Sequence, residues 1–409
     1  MLQEQPRQDS FRWMILFMLF AATTINYLDR QILSILKPIL DQELGWTDAQ
    51  YGMIMSIFQA SYAVGLTMFG WIIDKYGARM GFAISIIWWS VGALSHAFAV
   101  GVKSMGLSRV ILGLGEGGNF PASIKTVTNW FSSGERVFAT IPFIAAAWGW
   151  QSAFIAAGVL GFIWVIFWLR MPKNPRVKLA EESAALAQAE KEEARASIPW
   201  RKLLAYRQSW SLILVRFLTD PIWWFFLFWL PDFFSKHFGY NIKESALPLI
   251  VIYALVTVLS ILGGTLTKFL ANRGWSLNKV RKISMLIFAC CVVPVIFVQY
   301  FDMWTIVAVL GLAGGAHQAW SASVYTLGSD MFPKSDVASI TGLSGMAGQI
   351  GSVLFQTAVG FTLSWFAAQG NASHGYDIIF MVCGSAYLAA FVIFSLIIPN
   401  INMAAPRER

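Results

Sequence analysis

The chain has 409 residues, of which 57% are hydrophobic, 15% aromatic and only 13% charged, and its formal net charge is +8. Soluble domains carry about 25% charged residues, so a soluble fold is excluded, with or without a single anchor. Apolar blocks about 20 residues long recur from end to end, which reads as an all-α polytopic membrane protein.

Taken in chain order, the predicted spans are 12–38, 50–73, 80–100, 104–128, a short one at 137–149, 151–170, 210–235, 246–270, 281–300, 303–328, 337–366 and 375–398. The first run passes into NYLDRQILS without a small-residue cleavage site, so no removable signal peptide is expected. The spans divide the chain into an N-terminal six-helix half (1–170), a central loop (171–209), a C-terminal six-helix half (210–400) and a tail (401–409). The loop contains LAEESAALAQAEKEEA, whose Ala, Glu and Lys content predicts a surface helix.

Lys and Arg placement sets the orientation. With the N-terminus inside, the inner side holds Arg7, Arg12, Lys75, Arg79, Arg136, the central loop, the cluster from Lys268 to Lys282, Lys334, Arg407 and Arg409. The outer side holds only Lys103, Lys236 and Lys243, and its first loop, DQELGWTDAQ, is acidic. The bias accounts for the net positive charge without a nucleic-acid partner, and both termini are expected in the cytoplasm. One inconsistency follows. Arg136 and Lys173 both belong inside, so the intervening segment must cross an even number of times. Two crossings need about 40 apolar residues plus a turn, and only about 34 are present. The expectation is a truncated fifth span, with about 20 residues absent.

Four ionisable residues lie inside spans one and four: Asp29, Arg30, Arg109 and Glu116. Each costs roughly 2.5–3.5 kcal/mol at the bilayer centre, so each must face the bundle interior or a wet cavity. A network that merely locks helices together is the bland reading, but four such groups exceed that need. Asp29 and Arg30 are adjacent and point about 100° apart, so they do not neutralise one another. Arg109 and Glu116 are seven residues apart and share a face, with Asn119 one turn further. If that face meets span one, Arg109 approaches Asp29 and Glu116 looks into the cavity. GLGEGG, Gly113 to Gly118, lacks the preceding strand of a dinucleotide site and reads as a helix-packing segment.

Further along, span seven carries Arg216 and Asp220 at a spacing that lets them pair, followed by Pro221. Trp223, Trp224 and Trp229 read as packing or interfacial residues. In span ten, Gln318, Ser321 and Tyr325 share a helix face beside His317 and Ser323. They suit either a hydroxyl-rich substrate or hydrogen bonds between helices. Span eleven, SITGLSGMAGQIGS, is a small-residue packing face from which Gln349 can reach a cavity. Four scattered histidines and Cys290, Cys291 and Cys383 in apolar runs offer no nucleophile–base pair and no metal cluster. An enzyme, a metal site and a cofactor are therefore not expected.

Between spans two and three lies GWIIDKYGARM. Gly70 permits close helix approach, Asp74 caps or pairs at a helix end, Gly77 makes the turn, and Lys75 and Arg79 hold the loop inside. This G-x-x-x-D-K-x-G-x-R pattern resembles the signature loop of the major facilitator superfamily, as do the twelve spans and the long central loop. GGTLTKFLANRG, from Gly263, resembles a degenerate second copy in a parallel repeat.

NYLDR, RVILGLGEGGNFPASIKTVTNWF and RFLTDPIWWFFLFWLPDF together resemble the anion:cation symporters, and most of all bacterial hexuronate transporters. WGWQSAFIAAGVLGFIWV also looks like the family's sixth span. The resemblance implies that Arg30 binds the substrate carboxylate. It implies that Asp29 and Glu116 carry protons, that Arg109 modulates these acids, and that Tyr27 and Tyr62 line the site. It further implies a monomer in the bacterial inner membrane that takes up galacturonate or glucuronate with protons, by rocking its halves. Relatives continue a polar fifth helix between Thr140 and Ile141, where this chain is short. The alternatives are another sugar acid such as galactonate or glucarate, a small organic anion, or a membrane receptor that does not transport. The chemistry agrees with the resemblance: a guanidinium grips a carboxylate bidentately and stays charged, leaving protons to the carboxyls.

Overall fold

The structure, a computed structural model, describes residues 5–130, 149–171, 200–240 and 242–403. The predicted surface helix in the central loop, most of the fifth span, Arg136, Lys173 and the last six residues lie outside them, as does the side chain of Asp74. Among the described residues the regular structure is entirely helical.

The chain divides into two compact units, Met1–Leu179 and Ala180–Arg409. The first holds α1 (Gln5–Leu44), α2 (Asp48–His96), α3 (Val102–Glu116), α4 (Asn119–Trp130) and α5 (Gly149–Arg170). α1 outruns its apolar block because Lys37 and Asp41 pair across one turn at 2.8 Å, so the helix continues to the Gly45 turn. Buried Lys37 also reaches Asp48 at 2.7 Å. That pairing ties the end of α1 to the start of α2, where Thr47 and Gln50 form a reciprocal cap. α2 contains predicted spans two and three, joined at Gly77. Its φ of 80° is open to glycine and strained for other residues, so the chain turns there. Predicted span four is broken in two, because Gly117 and Gly118 form a turn between α3 and α4.

The second unit holds α6 (Arg207–Phe238), α7 (Ile242–Asn272), α8 (Leu277–Val292) with a 3-10 extension Val293–Tyr300, α9 (Met303–Met331), α10 (Lys334–Ala368) and α11 (Ala372–Ile397). Gly239, at φ 69°, ends α6; Ser276 caps α8, and Asp302 caps α9 by accepting from the backbone of Trp304 and Thr305. Seven described segments are long and apolar enough to cross a membrane, two in the first unit and five in the second. Predicted spans one, four, six and ten fall outside that set: the first and fourth carry the buried charges, the sixth counts only as the shorter apolar helix Gly158–Arg170, and the tenth is diluted by GGAHQAWSAS.

The most extensive packing in the first unit is α3 along α2. A Cβ on Gly65 would lie 2.3 Å from the Leu114 carbonyl oxygen, and one on Gly117 would lie 2.4 Å from the Gly65 carbonyl carbon. On the other side, Gly92 and Gly115 bring α3 as close to the second part of α2. GLGEGG is thus a two-sided contact surface. A close approach occurs at Gly65; at Gly70 no atom of the described residues lies within 4 Å of an added Cβ.

Candidate functional site

The four intramembrane charges of the first unit form one cluster. Arg30 is 5% exposed, and Asp29, Arg109 and Glu116 are fully buried. The Arg30 Nε donates to Glu116 Oε2, which joins α1 to the end of α3. Arg109 donates through Nη2 to the backbone carbonyl of Arg30 at 3.5 Å. The expected close approach of Arg109 to Asp29 takes another form. Arg109 is near enough to act on the Asp29 charge, but neither Asp29 oxygen has a hydrogen-bond partner among the described residues. Likewise Glu116, expected to look into a cavity, is held by Arg30 through one oxygen and keeps the other unpartnered. Residue spacing gave the faces of both helices, but the rotation of α1 against α3 decides which acid meets which base.

Around the Arg30 guanidinium stand three rings: Tyr62 at 4.6 Å from its centroid, Tyr27 at 5.3 Å and Phe58 at 5.9 Å. Phe58 also lies 5.3 Å from the Arg109 guanidinium and so contacts both cations. Cation–π attraction of this kind lowers the cost of burying the charge. Tyr62 is buried, whereas Tyr27 is 37% exposed and forms the outer wall. The polar inventory is larger than the sequence reading proposed. Asn26 Nδ2, both polar atoms of Gln59, Arg109 Nε and Nη1, and Asn119 Oδ1 are buried with no hydrogen-bond partner among the described residues. Buried polar atoms are normally satisfied, so this density marks a place where a polar ligand, a proton or water completes the bonding. Gln59 was missed. A lone amide in the otherwise apolar run around Phe58 was the available signal.

The second unit has a smaller polar cluster. Arg216 Nε donates to Asp220 at 3.0 Å, Arg216 Nη2 donates to the Tyr325 hydroxyl at 3.0 Å, and the guanidinium stacks on the Tyr325 ring at 4.5 Å. Tyr325 is therefore brought to Arg216, while Gln318 and Ser321 are half-buried on the same helix and make no hydrogen bond among the described residues. Small residues of α10 make room for the pair. A Cβ at Gly348 would sit 2.3 Å from Asp220 Oδ2, and one at Gly351 would sit 2.4 Å from the Phe217 carbonyl. Gln349, next along that helix, is half-buried with an unpartnered Oε1. His317 is stacked on Trp223 at 5.3 Å with the rings 2° from parallel, and it is hydrogen-bonded to the Tyr387 hydroxyl. Tyr387 in turn donates to the Thr219 carbonyl at 3.3 Å. Tyr387 is 70 residues from His317, so neither spacing nor periodicity pointed to it.

In the signature loop, Lys75 lies over the Trp71 ring at 4.7 Å, and the Arg79 carbonyl accepts from Trp168 Nε1 at 2.9 Å. Arg79 also donates to the Leu169 carbonyl, so the loop is tied to the end of α5.

The glycine contacts make a stability prediction. Gly117→Ala pushes a methyl into the backbone of Gly65 and Leu66 and should cost about 1–3 kcal/mol. The readout is the unfolding temperature in detergent. Gly70→Ala, with open space around it, should leave that temperature unchanged or raise it.

Comparison with known proteins follows the same lines. The sequence pattern of the Major Facilitator Superfamily matches residues 19–141 and 139–356. A hexuronate transporter of Escherichia coli is 30% identical over 376 residues, which take in 85% of this chain and 87% of that protein. A protein of Bacillus subtilis named "Probable galactarate/D-glucarate transporter" is 27% identical over 446 residues, with 98% of this chain and 95% of that one covered. Among solved structures, the xylose transporter of E. coli in its inward open conformation superposes with a TM-score of 0.72 at 11% identity, covering 95% of this chain and 97% of that one. A bacterial homolog of the human lysosomal transporter Spinster gives 0.68 at 16% identity, with 95% of both chains covered. At these identities the two structures speak for the fold alone.

Proposed function

Because this chain belongs to the Major Facilitator Superfamily, we propose that it is a proton-coupled importer of hexuronates such as galacturonate and glucuronate, working by alternating access. It is a multi-pass membrane transporter and not an enzyme. The reading places it in a bacterial inner membrane as a monomer, with both termini and the Gly70, Asp74, Lys75, Gly77 and Arg79 loop in the cytoplasm. In this reading two six-helix halves, 1–170 and 210–400, are joined by a loop over 171–209.

The observation that carries the proposal is the buried Arg30–Glu116 pair. An arriving carboxylate competes with Glu116 for the same guanidinium, and a proton on Glu116 settles the competition in favour of the substrate. Proton and anion then bind together, and loss of either returns Arg30 to Glu116. Asp29, buried beside this pair without a hydrogen bond, is the second proton carrier, and Arg109 biases both acids by its charge. Tyr27 and Tyr62 flank the bound acid. Gln318, Ser321, Tyr325 and Gln349 supply donors and acceptors for sugar hydroxyls.

A second reading, a sugar acid with two carboxylates, draws on the galactarate/D-glucarate relative. Uptake of labelled galacturonate into proteoliposomes, with and without an imposed pH gradient, tests the proposal. Gradient-driven uptake inhibited more strongly by glucuronate than by galactarate supports it. The reverse order of inhibition selects the second reading, and uptake indifferent to the gradient overturns the coupling. The same assay should include a version with a full-length fifth helix. The 376 residues of the hexuronate-transporter match exceed the 85% of 409 residues that it takes in here, which supports an internal shortening.

A further inference from the structure

A cleft of about 460 Å³ lies where α7 turns into α8, lined by Thr267, Lys268, Ala271, Trp275, Val280 and Arg281 among others. It belongs wholly to the second unit and uses none of the residues assigned to transport. We infer that this cleft seats the phosphodiester headgroup of an anionic phospholipid.

Charge is the first argument. From Glu244 to Asp302 the chain has no acidic residue between them, yet it carries Lys268, Arg273, Lys279, Arg281 and Lys282. Where the first half's loop reads Asp74-Lys75, the second reads Thr267-Lys268, so the cation is retained and the acid beside it is lost. Arg281 is answered by Asp330 at 2.8 Å, and Lys282 is held by the Pro399 carbonyl at 2.7 Å. Lys268 lines the cleft and makes no ion pair among the described residues. Lys279 lies over the Trp275 ring at 4.4 Å, which presents its ammonium beside the opening. Among the described residues no acid answers Lys268 or Lys279, so the cleft can receive an anion.

Location and shape select a lipid over a soluble anion. The cleft sits at the short connection between two segments long and apolar enough to cross a membrane, Glu244–Asn272 and Leu277–Tyr300. Trp275 in this position suits the headgroup zone. From the cleft, exposed Phe269, Leu262 and Ile261 continue along α7 and offer an apolar path for acyl chains. A Cβ at Gly264 would meet nothing within 4 Å, so the floor is open to a bulky group. Basic pockets between spans on the cytoplasmic side are suited to anionic headgroups on general electrostatic grounds.

The test is native mass spectrometry of the full chain in detergent, titrated with phosphatidylglycerol and separately with phosphatidylethanolamine. Wild-type protein should bind phosphatidylglycerol at least about tenfold more tightly. The double variant Lys268→Gln/Lys279→Gln should weaken it roughly 30-fold and leave phosphatidylethanolamine unchanged. Trp275→Leu, which keeps both charges, provides a second variant should the first fail to fold, and it should lose part of the preference. Equal binding of the two lipids, or a preference unaltered in the variants, overturns the inference. Full displacement of phosphatidylglycerol by millimolar inorganic phosphate would make this a soluble-anion site and overturns it as well.

Discussion

Arg30→Gln is expected to lower sugar-acid uptake at least about 100-fold. A bidentate guanidinium–carboxylate contact comprises two charge-assisted hydrogen bonds of about 1.5–3 kcal/mol each, which sets that floor. The variant also strands Glu116 as a buried acid, and breaking a buried pair costs about 3–5 kcal/mol. Loss of folding and loss of binding must therefore be separated. The double variant Arg30→Gln/Glu116→Gln removes both charges, so it should regain the unfolding temperature of the parent and remain unable to bind the acid. Arg30→Lys keeps the charge and loses the fork, and should recover only a minor part of uptake. The measurements are unfolding temperature in detergent and initial uptake into proteoliposomes. Undiminished uptake by the double variant would remove Arg30 from the site.

Asp29→Asn tests the coupling instead of the grip. A pH difference of one unit is worth about 1.36 kcal/mol per proton, which corresponds to tenfold accumulation for a carrier coupled to one proton. Glu116 still carries its proton in this variant, so at one unit of pH the internal-to-external ratio should fall about tenfold from that of the parent, while exchange of labelled for unlabelled substrate continues. Among the described residues Asp29 has no hydrogen-bond partner to lose, so the amide strands no neighbour there. A variant that concentrates substrate as far as the parent does would acquit Asp29 of proton transfer and leave Glu116 as the carrier.

Much of this architecture was legible in the sequence because lipid imposes a simple rule. Every backbone polar group must be bonded internally, so apolar length and breaks at Gly and Pro mark the spans. Gly77 illustrates what transfers well: a short basic loop with a glycine reads as a turn, and a φ of 80° is the form it takes. Gly70 shows the limit, since a glycine permits a close approach without saying whether a helix comes. The charged residues of spans one and four announced a site, but their pairing was not readable. Arg30 with Glu116 depends on an inter-helix rotation that periodicity leaves open. The break between α3 and α4 was hidden for a related reason. Its glycines were read as contact surface, and they serve that role and end the helix too. His317 with Tyr387 joins residues far apart in the chain, which local pattern does not reach.

The glycine seams between α2 and α3 constrain how the first half can deform. Backbones that touch at Gly65, Gly92, Gly115 and Gly117 leave no room for one helix to slip past the other by even the 1.5 Å of a single residue. Displacement of α2 and α3 must be collective, so Glu116 and Arg109 travel as fixed passengers on them. α1, joined to them at the Arg30 salt link and the Arg30 carbonyl, is the piece whose coupling can be engaged and released. Protonation then acts as a clutch on one helix, while the chassis beneath it stays stiff.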